Sequence, residues 1–211
     1  MNKTFWAIIA AIIVIFGGVI FFNGHKGNAP GANTSKVTNH VMGSTKTGVK
    51  LVEYGDYQCP FCGQYYPLVE QVKQKYQDRI QFQFRNLPLL QVHKYAFAAA
   101  RAVEAADKQG KFWEMYNMLF QNQTSWGQST DANAIFEQYA SQLGLNVAQF
   151  KSDAASTAVN ETINADIDEF KKTGEKISTP TFFLDGKKIQ PKSVDEFSKL
   201  IDQAIKDKEK K

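Results

Sequence analysis

The rhythm of apolar and polar positions changes several times along this chain, and each change predicts an element. Residues 5–22 (FWAIIAAIIVIFGGVIFF) contain no charged or strongly polar side chain. As a helix this run is about 27 Å long at 1.5 Å per residue, close to the roughly 30 Å hydrocarbon core of a bilayer. The expectation is a transmembrane signal-anchor with residues 1–4 in the cytoplasm; Lys3 supports that orientation and Lys26 weakens it. A cleaved secretory signal is the competing reading, but its apolar region usually spans only about 7–15 residues. Both readings export the remainder of the chain. Residues 23–36 (NGHKGNAPGANTSK) offer almost nothing to bury and read as a flexible linker with an r.m.s. reach of about 20 Å. His25 and His40, in and just after this stretch, read as solvated residues without a metal role.

Beyond the linker, residues 37–211 read as one domain. Val49–Tyr54 (VKLVEY) and Ile80–Phe84 (IQFQF) have the composition and alternation of strands. Residues 61–78 between them read as a helix that Pro67 kinks without ending, because apolar spacing resumes at Leu68, Val69 and Val72. Strand, helix, strand predicts a parallel crossover. Near the other end, TFFL at 181–184 and KKIQ at 187–190 flank Asp185-Gly186, a two-residue hairpin signal. Ser193 and Glu196 then have the spacing of a capping box before a helix with Phe197, Leu200, Ile201, Ala204 and Ile205 on its apolar face.

From about residue 90 to 176 the spacing is helical: Val92, Ala96, Ala99 and Val103; Phe112, Met115, Tyr116 and Leu119; a helix capped by Asn146; and Val159, Ile163, Ile167 and Phe170. The fold class is therefore α/β, a βαβ unit and a ββα unit separated by a helical insertion. Trp113 and Trp126 read as insertion core rather than as the lining of a groove, since a helix buries one apolar face by default.

Charge changes the picture in one respect. The 25 basic residues exceed the 21 acidic ones by four, and Lys3, Lys26, Lys36 and Lys46 all precede Val49. The folded part is thus neutral, without the basic footprint of a nucleic-acid-binding domain. Two cysteines and three scattered histidines exclude a four-cysteine zinc or iron–sulfur site and leave no metal or cofactor expected.

Those cysteines carry the candidate chemistry. Cys59-Pro60-Phe61-Cys62 stands where a strand hands over to a helix, so Cys59 falls at a helix N-terminus, where free N–H groups and the helix dipole favour a thiolate. Cys62, three residues on, lies on nearly the same face and within reach of a disulfide. Pro60 suits the first turn, where its missing N–H has no intrahelical partner. A redox couple fits this arrangement better than a structural zinc site, a stapling disulfide over so short a loop, or inert thiols in an exported domain. Glu53 shares a strand face with Val49 and Leu51; buried there, it would serve as proton acceptor and donor for Cys62, and on an edge strand it would be a surface charge. Thr179-Pro180 opens the TFFL strand, either as an edge feature or as a cis-proline turn.

The segments VKLVEYGDYQCPFCGQYYPLVEQV, RNLPLLQVHKYAFAAARAVEAADKQGKFWEMYNMLFQNQTSW and ISTPTFFLDGKKI together resemble the DsbA family of thiol–disulfide oxidoreductases, over roughly residue 40 to the C-terminus. The resemblance implies a thioredoxin fold split by a helical insertion. It makes Cys59 the attacking cysteine, Cys62 the resolving one, Glu53 the buried acid and Pro180 a cis-proline facing the disulfide. Thr179, Pro180, Pro60 and Phe61 would contact substrate. It also implies exported protein or peptide dithiols as substrates, a membrane quinone-linked protein as reoxidising partner, and no cofactor. Phe61 stands where the family's namesake has His, and Thr179 where it has Val, which leaves the redox direction open. No dimerisation domain is visible, so a monomeric oxidase is preferred over a reductase or isomerase. An anchored, non-enzymatic peptide-binding chaperone is the remaining alternative.

Overall fold

The structure, a computed structural model, describes residues 36–210. The expected signal-anchor at 5–22, His25 and residues 23–35 of the expected linker lie outside the described residues. Among the described residues, no helix is long and apolar enough to cross a membrane.

Five strands form one sheet in the order β1-β3-β2-β4-β5: β1 (His40–Gly43), β2 (Lys50–Gly55), β3 (Gln81–Asn86), β4 (Thr181–Leu184) and β5 (Lys187–Ile189). The expected crossover is present, with β2 parallel to β3 and joined to it by α1 (Pro60–Tyr76). β4 runs antiparallel to β2 and pairs with β5. Asp185 and Gly186 adopt φ of 47° and 79°, the left-handed pair that lets a two-residue turn follow the twist of its strands. The strand β1, whose sequence HVMG is too short and too close to the polar linker to signal itself, adds antiparallel to β3.

Alternation along β2 divides the core. Leu51 and Glu53 face α1 and the last helix, α8 (Val194–Glu209), whose Phe197, Ile201 and Ile205 are buried. Val52 and Tyr54 face the other way, where Tyr54 meets Phe170 and Phe183 at 5.0 and 5.8 Å between ring centroids. Ser193 caps α8 as expected, its hydroxyl accepting from the Glu196 N–H at 3.2 Å. The Glu196 carboxylate accepts from the Lys192 N–H, one residue before the cap. Leu200, placed by its spacing on the apolar face, is exposed at the rim.

The insertion comprises α2 (Ala96–Asp107), α3 (Phe112–Gln121), α4 (Gln123–Gly127), α5 (Ala132–Gln142), α6 (Val147–Ala154) and α7 (Thr157–Lys172). Its core is continuous with that of the sheet, since Tyr116 of α3 packs on Phe84 of β3 at 5.1 Å. Trp126 is fully buried and its indole N–H donates to the Leu119 carbonyl at 2.8 Å, as core. Val92 departs from the spacing argument: it precedes α2, in a turn, and is exposed.

His40 corrects the sequence reading. It is buried, stacked on Phe112 at 3.6 Å, with Nε2 2.8 Å from Glu104 and Nδ1 3.5 Å from Asp107. Burial alone would lower its pKa, but Asp107 and Glu104 outweigh burial and hold it at about 9. The two ring nitrogens address different acids, the geometry of an ion pair. Beside it, buried Asp166 of α7 accepts from the Thr38 N–H and hydroxyl at 2.8 and 2.7 Å and from the Asn86 N–H at 2.9 Å. These contacts fasten the chain entering β1 to β3 and to the insertion.

Candidate active site

The strand β2 ends at Gly55, and a turn of four residues delivers the chain to α1. Cys59 is the N-cap of that helix, in extended conformation with φ −67° and ψ 121°, and Pro60 occupies its first turn. No side chain caps the helix, so its first N–H groups remain available to the Cys59 sulfur. The Cys62 thiol donates to that sulfur, and with the Phe61 and Cys62 N–H groups it outweighs partial burial to bring the Cys59 pKa down to about 6. Cys62 moves in the opposite direction. It is fully buried, and burial together with its donated hydrogen bond and the nearby charge of Cys59 raises its pKa well above the ordinary thiol range. Both thiols are free.

Three expected partners converge on this pair. The Thr179–Pro180 peptide bond is cis, and the Cys59 thiol donates to the Thr179 carbonyl at 3.4 Å. Glu53 is 1% exposed, on the core-facing side of β2, and is therefore no edge-strand surface charge. Burial raises its pKa to about 8, against the pull of Lys73, and one of its oxygens has no hydrogen-bond partner. Lys73, itself buried, lies over the faces of Trp113 and Tyr116 at 4.6 and 4.9 Å and pairs with Glu70 at 2.6 Å. Phe61 points outward, 62% exposed. The two other large exposed apolar side chains of the β3–α2 loop, Leu90 and Val92, and Ile177 two residues before Thr179, are carried by the segments that flank the site.

A profile of the thioredoxin family matches residues 35–203. The chain belongs to the thioredoxin family. Within it, the described fold is the DsbA-like thiol–disulfide oxidoreductase fold, with its helical insertion. A thioredoxin-like oxidoreductase from Silicibacter pomeroyi is 25% identical, with a TM-score of 0.66 over 79% of this chain and 91% of that one. The α-DsbA1 of Wolbachia pipientis, 18% identical, shares the fold with a TM-score of 0.70 over 83% of this chain and 96% of its own. Among curated sequences, the Na(+)/H(+) antiporter NhaA 1 of Salinispora arenicola is 37% identical over 150 residues, which are 71% of this chain and 22% of that protein. The chain thus spans about a fifth of the length of the curated relatives it matches. Family and paired cysteines together give the described residues the arrangement of a thioredoxin-family dithiol site.

The thioredoxin-family site also contains residues that carry no motif in the sequence. Asp56, buried before the cysteines, accepts from the Gln58 N–H at 2.8 Å, the Leu89 N–H at 2.8 Å and pairs with His93 Nδ1 at 2.7 Å. Its own N–H faces the Cys62 sulfur at 3.5 Å. One residue therefore ties the Cys62 turn to the loop that exposes Leu90 and Val92. Leu89 and His93, two of its partners, lie 33 and 37 residues away.

Proposed function

We propose that this domain is an extracytoplasmic oxidase of protein dithiols, held at the membrane by residues 5–22. The observation that carries the reading is the opposite tuning of the two sulfurs, Cys59 down to about 6 and Cys62 well up. A stabilised thiolate on the reduced side makes the disulfide the less favoured partner, and hence a stronger oxidant. A substrate thiolate attacks Cys59 Sγ, the Cys59–Cys62 bond breaks, and Cys62 leaves as a thiolate that takes a proton from Glu53. The substrate's second thiolate then attacks the substrate sulfur of the mixed disulfide and expels Cys59 as a stable thiolate. Two electrons have moved to the protein, and the substrate has lost two thiol protons.

Exposed Phe61, Leu90, Val92 and Ile177 favour apolar, unfolded polypeptide as the substrate, its backbone pairing beside Pro180 as an added strand. Reoxidation would fall to a quinone-linked membrane protein, and a domain working at a membrane surface also fits relatives that are Na(+)/H(+) antiporters. Thr179 before the cis-proline is the observation favouring the reverse direction, a reductase or isomerase. Equilibration of the full chain with glutathione decides: an oxidase releases its disulfide to glutathione under conditions that leave a reductase oxidised. Cys59→Ser is expected to abolish dithiol oxidation, and retained activity would remove the assignment; a peptide-binding chaperone would instead keep its polypeptide binding after loss of both cysteines.

A further inference from the structure

The dithiol chemistry leaves unused a polar contact between the insertion and the turn that presents Cys59. Gln123, the first residue of α4, donates from Nε2 to the carbonyl oxygens of both Tyr57 and Cys59, each at 2.8 Å. A carboxamide has two N–H hydrogens, so one side chain fills both positions. The Cys59 carbonyl also accepts the Gly63 N–H at 3.1 Å, the first helical bond of α1. The nucleophile's backbone is therefore held from two directions, by its own helix and by the insertion. Gln58, one residue earlier, joins the same pair of elements: it accepts from the Tyr95 N–H at 2.6 Å and donates to the Gly127 carbonyl at 3.3 Å, at the far end of α4.

We propose that Gln123 is a positioning residue for the nucleophile: by gripping the Tyr57 and Cys59 carbonyls it keeps the Cys59 sulfur under the first N–H groups of α1, and so sets the oxidising strength of the couple. This inference rests on Cys59 being the nucleophile. The argument is geometric. Hydrogen bonds from N–H groups to the sulfur weaken steeply as their angle opens, so the thiolate's stabilisation depends on where the N-cap backbone is held. Gln123 lines a cleft of about 570 Å³ with Pro60, Gly63 and Gln64, from which water can reach the two carbonyls once the amide is gone. Water would satisfy them chemically without fixing their position. The loss therefore falls on the sulfur's acidity more than on stability.

Gly63 supplies an independent handle, because a methyl group placed there would collide with the Gln123 side-chain amide. The experiment takes the full chain with Gln123→Met, which keeps bulk without donors, Gly63→Ala, which displaces the amide, and the double variant. Thiolate absorbance against pH and the equilibrium with glutathione are read for each. Either single change is expected to raise the Cys59 midpoint by about half to one pH unit and to weaken the couple as an oxidant by about three- to tenfold. The double variant is expected to match Gln123→Met alone, since no amide remains to displace. A wild-type midpoint near 6 that neither substitution moves overturns the proposal, as does additivity in the double variant or a lowered melting temperature without a change in midpoint. A wild-type midpoint near the ordinary thiol value instead overturns the nucleophile assignment itself, and with it this inference.

Discussion

At the scale of the residue, the site is a set of titrations pushed apart by position. Cys59 and Cys62 are chemically identical and three residues apart, yet one caps a helix N-terminus and the other is fully enclosed inside the helix's first turn. The reduced protein should therefore hold one thiolate and one thiol between about pH 6 and 8, and reduction should consume one proton per two electrons. The reduction potential is then expected to fall by about 30 mV per pH unit in that window and about twice as steeply below pH 6, as direct titration against a redox buffer would show. Glu53 makes a second prediction. Its pKa, raised from roughly 4.3 unfolded to about 8 folded, contributes stability that is present below the unfolded value and lost as pH rises through 8. Glu53→Gln removes that loss, so denaturant unfolding should find the variant more stable than wild type by a few kcal/mol above pH 8 and nearly equal near pH 4. Lys73→Met, by deleting the nearby positive charge, should push the Glu53 titration higher still, visible in its carboxyl infrared band.

At the scale of the element, the fold depends on a few buried polar ties across long sequence separations. His40, 64 residues from Glu104, holds β1 as an imidazolium between two acids. Its raised pKa means that its contribution is fully present below roughly pH 6.5 and lost as pH climbs through 9. His40→Leu should therefore cost about 2 kcal/mol or more at pH 6, by leaving Glu104 buried without its cation, and less at pH 10; unfolding curves at both pH values check this. The elements themselves were legible. The period-two runs became β2 and β3, Asp185-Gly186 became the β4–β5 turn, and Asn146 and Ser193 became caps, because these signals act over two to four residues. Strand β1, the exposure of Val92 and the burial of His40 were not, because each depends on what another segment places opposite.

At the scale of the whole molecule, the insertion is part of the site rather than an ornament on the sheet. It closes the core through Tyr116 on Phe84, seats Asp166 behind β3, and holds the cysteine turn through Gln123. The membrane tether is a prediction at this scale too. The full chain should sediment with membranes and resist alkaline extraction, and protease added to right-side-out vesicles should cut it while inverted vesicles protect it. Protection in the opposite orientation would place the dithiol in the reducing cytosol and end the oxidase reading.

By itself, the amino-acid sequence determined the parallel crossover, the helical insertion and the position of Cys59 at a helix start, because periodicity, turn chemistry and helix capping are local. Only the tertiary structure decided that Glu53 is buried, that Asp56 reaches His93 and the loop beside the site, and that a glutamine 64 residues away grips the Cys59 carbonyl. Burial and hydrogen-bond partnership between distant segments exist only once the chain has closed on itself, and these set how far apart the acidities of the two cysteines lie.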